Sequence, residues 1–298
     1  MAVASMAVAA DGDKASPPVV ALYARTMGET VPNIPSMADL LALEELDRDL
    51  YRGINEVINS DRTTLFGGQV AAQALKAAGL TVPGDRFPHS LHGYFLRPGR
   101  RDRNVIFKVE RDRDGRSFSA RRVSAVQNGD VIFDLTASFH VEEPGGEFAV
   151  PIRTNLPPPD DCVRAGFNDH FPLADARVVE PTRMNDEGFL LSDTLWLRVC
   201  EPLGDNRLTH ACAITYLSDI GSGFAGVDVA NLPSGGPSLD HAMWFRSQVR
   251  ADDWMLMHMW PLMAGGARGL YAGSMHQHDG ALGAMLTQEV LLRPPAPA

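Results

Sequence analysis

The sequence predicts an α+β protein built as two copies of one unit, each a buried helix followed by an antiparallel meander. A loose repeat is the first sign. His92-x-x-Phe95-Leu96-Arg97 returns as His241-x-x-Trp244-Phe245-Arg246. A turn dipeptide follows each copy, Asn128-Gly129 and then Asp279-Gly280, with 37 and 39 residues from histidine to glycine. Thr136 and Thr287 each stand seven residues past their turn glycine. An interval this long points to duplicated domains rather than to a solenoid, whose units are shorter and more numerous.

Residues 1–36 are rich in Ala and Pro and read as a poorly ordered tail. Leu40, Leu41, Leu43 and Leu46 suggest a short helix edge between residues 40 and 50. Small residues at Gly67-Gly68 then open a run of strong helix formers from Val70 to Ala78, closed by Gly79. Its side chains are small almost all round, as a helix enclosed by a sheet requires. Strands follow at 91–96, 104–110, 118–126 and 131–140, the last two flanking Asn128-Gly129, a strong hairpin signal. This makes a first domain of residues 37–145.

Residues 146–185 collect Pro151, Pro157, Pro158, Pro159, Pro172 and Pro181 and read as a linker. A second domain, 186–298, repeats the order: a strand at 195–199, a helix near 207–220, a Gly-rich loop, and strands at 242–245, 254–260, 269–277 and 283–292.

With 298 residues the chain can bury two ordinary cores. The net charge of −10 argues against nucleic-acid or anionic-membrane partners. Cys162, Cys200 and Cys212 are few, odd in number and without C-x-x-C spacing, which fits a reducing compartment and disfavours a zinc site. Met1–Ala10 lacks the basic start of a signal peptide, and no run reaches membrane-span length. The expectation is a soluble cytoplasmic protein.

The segments FGGQVAAQAL (66–75), HSLHGYFLRPG (89–99), DGRSFSARRVSAVQNG (114–129), YLSD (216–219), DHAMWF (240–245) and TQE (287–289) resemble the type II acyl-CoA thioesterases, over roughly residues 40–295. The resemblance implies a double hotdog: two antiparallel sheets, each wrapped around a central helix and paired within one chain. It implies hydrolysis of acyl-CoA to fatty acid and CoA by an activated water, with neither metal nor cofactor, in a homo-oligomer (dimer or tetramer). The water-positioning Asp falls on Asp219, the hydroxyl on Ser238 and the amide on Gln288, all in the second half. Many relatives carry Thr where this chain has Ser238, so the hydroxyl is kept without the methyl that steadies its rotamer.

That trio suits the chemistry. A carboxylate within hydrogen-bond reach of water is a competent general base, and a hydroxyl and an amide fix the water's orientation. Taken singly, Asp219 reads as a helix-terminal residue before Gly221, Ser238 as a loop hydroxyl and Gln288 as a strand face. The oxyanion donor is expected at a helix start or glycine turn, which the sequence does not locate. Ten basic residues stand against four acidic ones between Arg97 and Arg122. Arg97, Arg116, Arg121 and Arg122 are candidates for CoA phosphates, a solvated sheet face being the competing reading.

Other readings fit less well. Adjacent residues on a strand face opposite ways, so Asp240 and His241 make no catalytic dyad, and His241 reads as structural with His92 its counterpart. The same spacing disfavours a hotdog enoyl-CoA hydratase. Gly221-x-Gly223-x-x-Gly226 matches a dinucleotide fingerprint, but Val-Asp-Val-Ala-Asn-Leu-Pro cannot open the helix it needs. G-x-S-x-G is absent, against an α/β-hydrolase. A non-catalytic acyl-CoA-binding protein remains the alternative from another class, separable by an assay of thiol release. In the first half Ala137 stands where Gln288 stands in the second, which predicts one reaction site per chain.

Overall fold

A short helix, α1 (Met37–Leu41), opens the part of the chain that the computed structural model describes, namely residues 36–55, 63–185, 188–221, 223–227, 236–246 and 248–293. The expected tail, Ser36 apart, lies outside the described residues. Ser36 caps α1 reciprocally: its Oγ accepts from the Asp39 amide, and the Asp39 carboxylate accepts from the Ser36 amide, each at 3.0 Å. The helix expected over 40–50 stops at Leu41, and a hairpin of β1 (Glu44–Asp47) and β2 (Leu50–Gly53) replaces its second half. The four leucines do not form one stripe: Leu40 and Leu41 are buried, whereas Leu46 faces solvent.

Helix α2 (Gly67–Leu80) runs slightly beyond both ends of the expected segment and is buried on nearly every side, its Ala and Gly residues letting strands approach closely. Strands β3 (Arg86–Phe95), β4 (Val105–Asp114), β5 (Phe118–Gln127) and β6 (Asp130–Val141) wrap it. Asn128 and Gly129 both take positive φ, 53° and 87°, and Gln127 pairs with Asp130. That is the twist-matched two-residue turn the dipeptide announced.

The proline-rich segment expected as a linker over 146–185 is only partly one. Within it β7 (Val163–Arg164) and β8 (Ala174–Val179) form, and β8 pairs along its whole length with β11 (Thr194–Val199). Four of the prolines precede these strands, Pro172 separates them and Pro181 follows β8, while Ala174–Val179 carries the alternating burial of a sheet member. The true crossing runs over the outer face of the second half. Trp196 Nε1 donates to the Pro157 carbonyl at 3.0 Å, and His276 Nε2 lies 3.0 Å from the Val150 carbonyl. Ile152 and Leu156 pack there on Cys162, Val179, Trp196 and Leu256.

After β9 (Arg183–Met184), β10 (Leu190–Leu191) and β11 comes α3 (Arg207–Ser218), capped by Asn206 Oδ1 on the Thr209 amide. Strands β12 (Asp240–Phe245), β13 (Met255–Gly265), β14 (Arg268–Gln277) and β15 (Leu282–Leu291) complete the second copy. The sheets join edge to edge through β3 and β12, antiparallel from Asp240–Tyr94 to Trp244–Ser90. One continuous sheet results, ordered β1-β2-β4-β5-β6-β3-β12-β15-β14-β13-β11-β8-β7. Each half hides an edge that would otherwise be bare. Helices α2 and α3 pack against each other, and one apolar core runs through both copies.

Candidate active site

Asp219 sits at the C-cap of α3, where the helix ends and its carbonyls make a carboxylate electrostatically unwelcome. Its side chain does not cap locally. Oδ1 accepts from Ser238 Oγ at 3.1 Å and from Gln288 Nε2 at 2.8 Å. Gln288 Nε2 also donates to Ser238 Oγ. Ser238 lies just ahead of β12 and bridges to Val290 of β15, while Gln288 projects from the inner face of β15 and is buried. A helix end, a strand entrance and a strand face thus bring together three residues distant in sequence.

The start of α2 reaches Asp219 from the other copy. A Cβ on Gly67 would stand 2.7 Å from Asp219 Oδ2 and 2.9 Å from the Phe95 ring; one on Gly68 would meet the Tyr216 carbonyl oxygen at 2.6 Å. Only glycine lets the two helices approach this closely. Phe66, at the N-cap, offers no side-chain acceptor, so the first amides of α2 lack a side-chain cap. Asp219 therefore lies beside a positive helix end that offsets the negative end of its own helix.

A cavity of about 720 Å³ opens at this point. The first copy contributes Phe66, Val70, Phe95 and Phe133, and the second Asp219, Ser238 and Val290. The equivalent place at the start of α3 has only about 40 Å³. There the Arg207 guanidinium lies 3.5 Å over the Phe87 ring and helps fill it.

Of the four arginines proposed for CoA, Arg97 alone lines the large cavity; its Nη1 donates to the Val131 carbonyl. Arg101, from the same basic stretch, lines it as well. Arg116 is an exposed residue at the tip between β4 and β5. Arg122 pairs with Glu110 and Asp112. Arg121 has to be withdrawn: its side chain is 0% exposed and its donors are held by Thr81, Arg113, Ala120 and Asp114. Inward alternation along β5 took it out of any ligand's reach.

His241 and His92 are not counterparts. His92 pairs with Thr136, and Ala242 pairs with Thr287, so the threonine repeat is structurally true and the histidine repeat is off by one. A one-residue offset reverses the face. His92 is half-exposed, with Nε2 3.2 Å from Asp240 Oδ2 across the seam. His241 is fully buried and matches Leu91. It hydrogen-bonds Gln288 through Nδ1 and lies 2.8 Å from Ser218 Oγ through Nε2. Burial holds its pKa below the ordinary imidazole value, against the pull of Asp219 and Asp240. Sequence reasoning passed over this contact; aligning on the threonines, rather than the histidines, would have exposed it. Asp240 and His241 face opposite ways, as strand alternation required. At the Gly221–Gly226 loop, the Ala225 and Gly226 amides donate to Asp193, each at 2.8 Å, so they are not free to cradle phosphate.

Comparison with known proteins identifies the family. Residues 58–140 match the acyl-CoA thioesterase N-terminal domain, and residues 159–292 the acyl-CoA thioesterase C-terminal domain. The chain is 35% identical to acyl-coenzyme A thioesterase 8 of Mus musculus, over 86% of this chain and 88% of that protein. It is 31% identical to acyl-CoA thioesterase 2 of Haemophilus influenzae, over 87% of this chain and 97% of that protein. The crystal structure of acyl-CoA thioesterase II TesB2 from Mycobacterium marinum superposes with a TM-score of 0.73 at 37% identity, covering 88% of this chain and 99% of that one. With both domain families matched in order and the two-copy hotdog architecture in place, the chain belongs to the type II acyl-CoA thioesterases, hydrolases of acyl-CoA thioesters.

Proposed function

We propose that Asp219, Ser238 and Gln288 hold and activate the water that attacks the thioester carbonyl. Asp219 Oδ1 is engaged by the other two, which leaves Oδ2, beside Gly67 on the cavity wall, to take the proton as the water oxygen bonds to carbon. The amides at the start of α2, from Gly67 and Gly68, receive the negative charge that forms on the carbonyl oxygen. When the tetrahedral adduct collapses, the C–S bond breaks and Asp219 returns the proton to the CoA sulfur. The observation that carries this reading is that acid and hydroxyl share one wall of a cavity whose facing wall is a helix start, with the buried Gln288 amide holding both from behind.

The aromatic part of the cavity, Phe66, Phe95, Phe133 and Phe171, suits the acyl chain, and Arg97 with Arg101 suits the phosphates of CoA. No helix among the described residues is long and apolar enough to cross a membrane. The three cysteines are free, which supports a reducing compartment such as the cytoplasm, and cell fractionation tests it. Tyr94 and Trp244 stand about half exposed on the strands of the seam, which supports association of copies, measurable by sedimentation. The deciding assay is thiol release from palmitoyl-CoA and from a short-chain acyl-CoA by the wild type and by Asp219→Asn. Undiminished turnover in the variant overturns the assignment.

A further inference from the structure

The Gln288 carboxamide can sit in two orientations, and only one serves the site. A carboxylate only accepts hydrogen bonds, so the Gln288 edge facing Asp219 must be its NH2. Its carbonyl edge then faces His241 Nδ1, which must carry a proton to meet it. Burial keeps the ring neutral, with that one proton, so Nε2 is left as the acceptor edge, 2.8 Å from Ser218 Oγ, whose single hydrogen also has the Thr215 carbonyl within reach. Ser218 closes α3 one residue before Asp219 and is itself fully buried, with the Thr215 carbonyl 2.9 Å off. The opposite tautomer would turn the ring's lone pair on the Gln288 carbonyl. Relief would require the amide to flip and press its oxygen against Asp219.

The first copy has no such arrangement. Leu91 and Ala137 stand opposite each other on β3 and β6, where His241 and Gln288 stand on β12 and β15. Packing alone is satisfied there by an apolar pair. The polar pair occurs only in the copy with the open cavity.

We propose that His241, protonated on the Nδ1 edge that faces the Gln288 carbonyl, is a positioning residue that locks the Gln288 amide in the orientation that serves Asp219. This rests on the assignment of Asp219, Ser238 and Gln288 to the reaction. If Asp219→Asn turns over normally, that assignment has failed; the comparisons below test His241 separately.

The experiment measures kcat and KM for palmitoyl-CoA in His241→Leu and His241→Asn, each in the wild-type and the Gln288→Ala backgrounds, with melting temperatures for all. His241→Leu should lower kcat on the order of 10²-fold with little change in KM, as small misplacements of orienting groups do. His241→Asn, whose side-chain amide can donate to the same carbonyl, should recover most of that loss. In the Gln288→Ala background His241→Leu should cost nothing further, because the group it acts through is gone. A full additional loss in that background overturns the proposal. So does an Asn variant as slow as the Leu variant at an unchanged melting temperature. Should the Leu variant fail to fold, His241→Ala takes its place: a kcat loss that vanishes with Gln288→Ala supports the proposal, and one that persists, or no loss at all, overturns it.

Discussion

Leu91 and His241 occupy the same place in the two copies of the unit, each on the inner face of the strand that forms the seam. One is an aliphatic core residue; the other hydrogen-bonds the Gln288 amide. The duplication has kept a backbone position and changed its chemistry. On the proposed mechanism that exchange separates a structural copy from a reactive one.

Asp219→Asn keeps the shape of the side chain but removes its ability to accept a proton. Its kcat should fall by roughly 10²–10⁴-fold, with acyl-CoA still bound. Thiol release and calorimetric titration with a substrate analogue check this together; retained turnover removes Asp219 from the mechanism.

Ser238→Ala and Gln288→Ala each remove one hydrogen bond to Asp219 Oδ1 without removing the base. Both should slow kcat by roughly 10²-fold and leave KM nearly alone, since they orient water rather than substrate. A change confined to KM in both variants would refute the water-positioning role.

Gly67→Ala would bring a methyl within 2.7 Å of Asp219 Oδ2 and 2.9 Å of the Phe95 ring. Either the start of α2 or the carboxylate must yield, so the oxyanion donors and the base lose their common geometry. The expected result is a kcat loss of about 10²–10³-fold, together with a lowered melting temperature from the overpacking. Wild-type kinetics in this variant would place the oxyanion donors elsewhere.

Arg121 and Arg97 should separate stability from binding. Arg121→Ala removes a fully buried guanidinium that ties Thr81 to the half-exposed Asp114 and should lower stability by roughly 2 kcal/mol, with KM unchanged. Arg97→Ala, on the cavity wall, should raise KM and leave denaturant unfolding unaffected. The reverse pattern would return Arg121 to the list of CoA contacts.

Stability should decline on mild acidification, partly through His241. In the unfolded chain its imidazole takes up a proton as pH falls through the ordinary value of 6.5, while burial delays this in the folded protein. The unfolded state then binds more protons, so stability rises with pH across that window and is lost below it. His89 and His258 are shifted the same way by burial. The informative comparison is therefore the slope of melting temperature between pH 8 and pH 5 in the wild type against His241→Asn, which should be shallower. Equal slopes would mean that His241 titrates alike in both states.

Much of the fold could be read from the chain. The small-residue run of α2, the Asn128-Gly129 turn and the order of elements are local signals, and each produced the element it announced. Asp219, Ser238 and Gln288 came from resemblance, because nothing local says that a helix end, a strand entrance and a strand face will meet. Misreadings occurred where tertiary context decides. Proline density concealed β7 and β8, which are strands only because β11 is there to pair with β8. Four leucines looked like one helix until a hairpin separated them. Arg121 looked like part of a basic surface, and only the alternation of β5 sends it inward. The histidine repeat placed His241 on the wrong face by a single residue.

The seam between β3 and β12, with α2 against α3 on one apolar core, also governs how the molecule comes apart. The described residues of both copies form one compact unit. Neither copy can open without exposing the flank of the other, so heat should melt both in one calorimetric transition with equal calorimetric and van't Hoff enthalpies. For the same reason residues 186–298 alone should be insoluble or inactive, since they lack β7, β8 and the whole of β3. Cooperativity here belongs to the pair, and a single copy is a fragment of a folding unit.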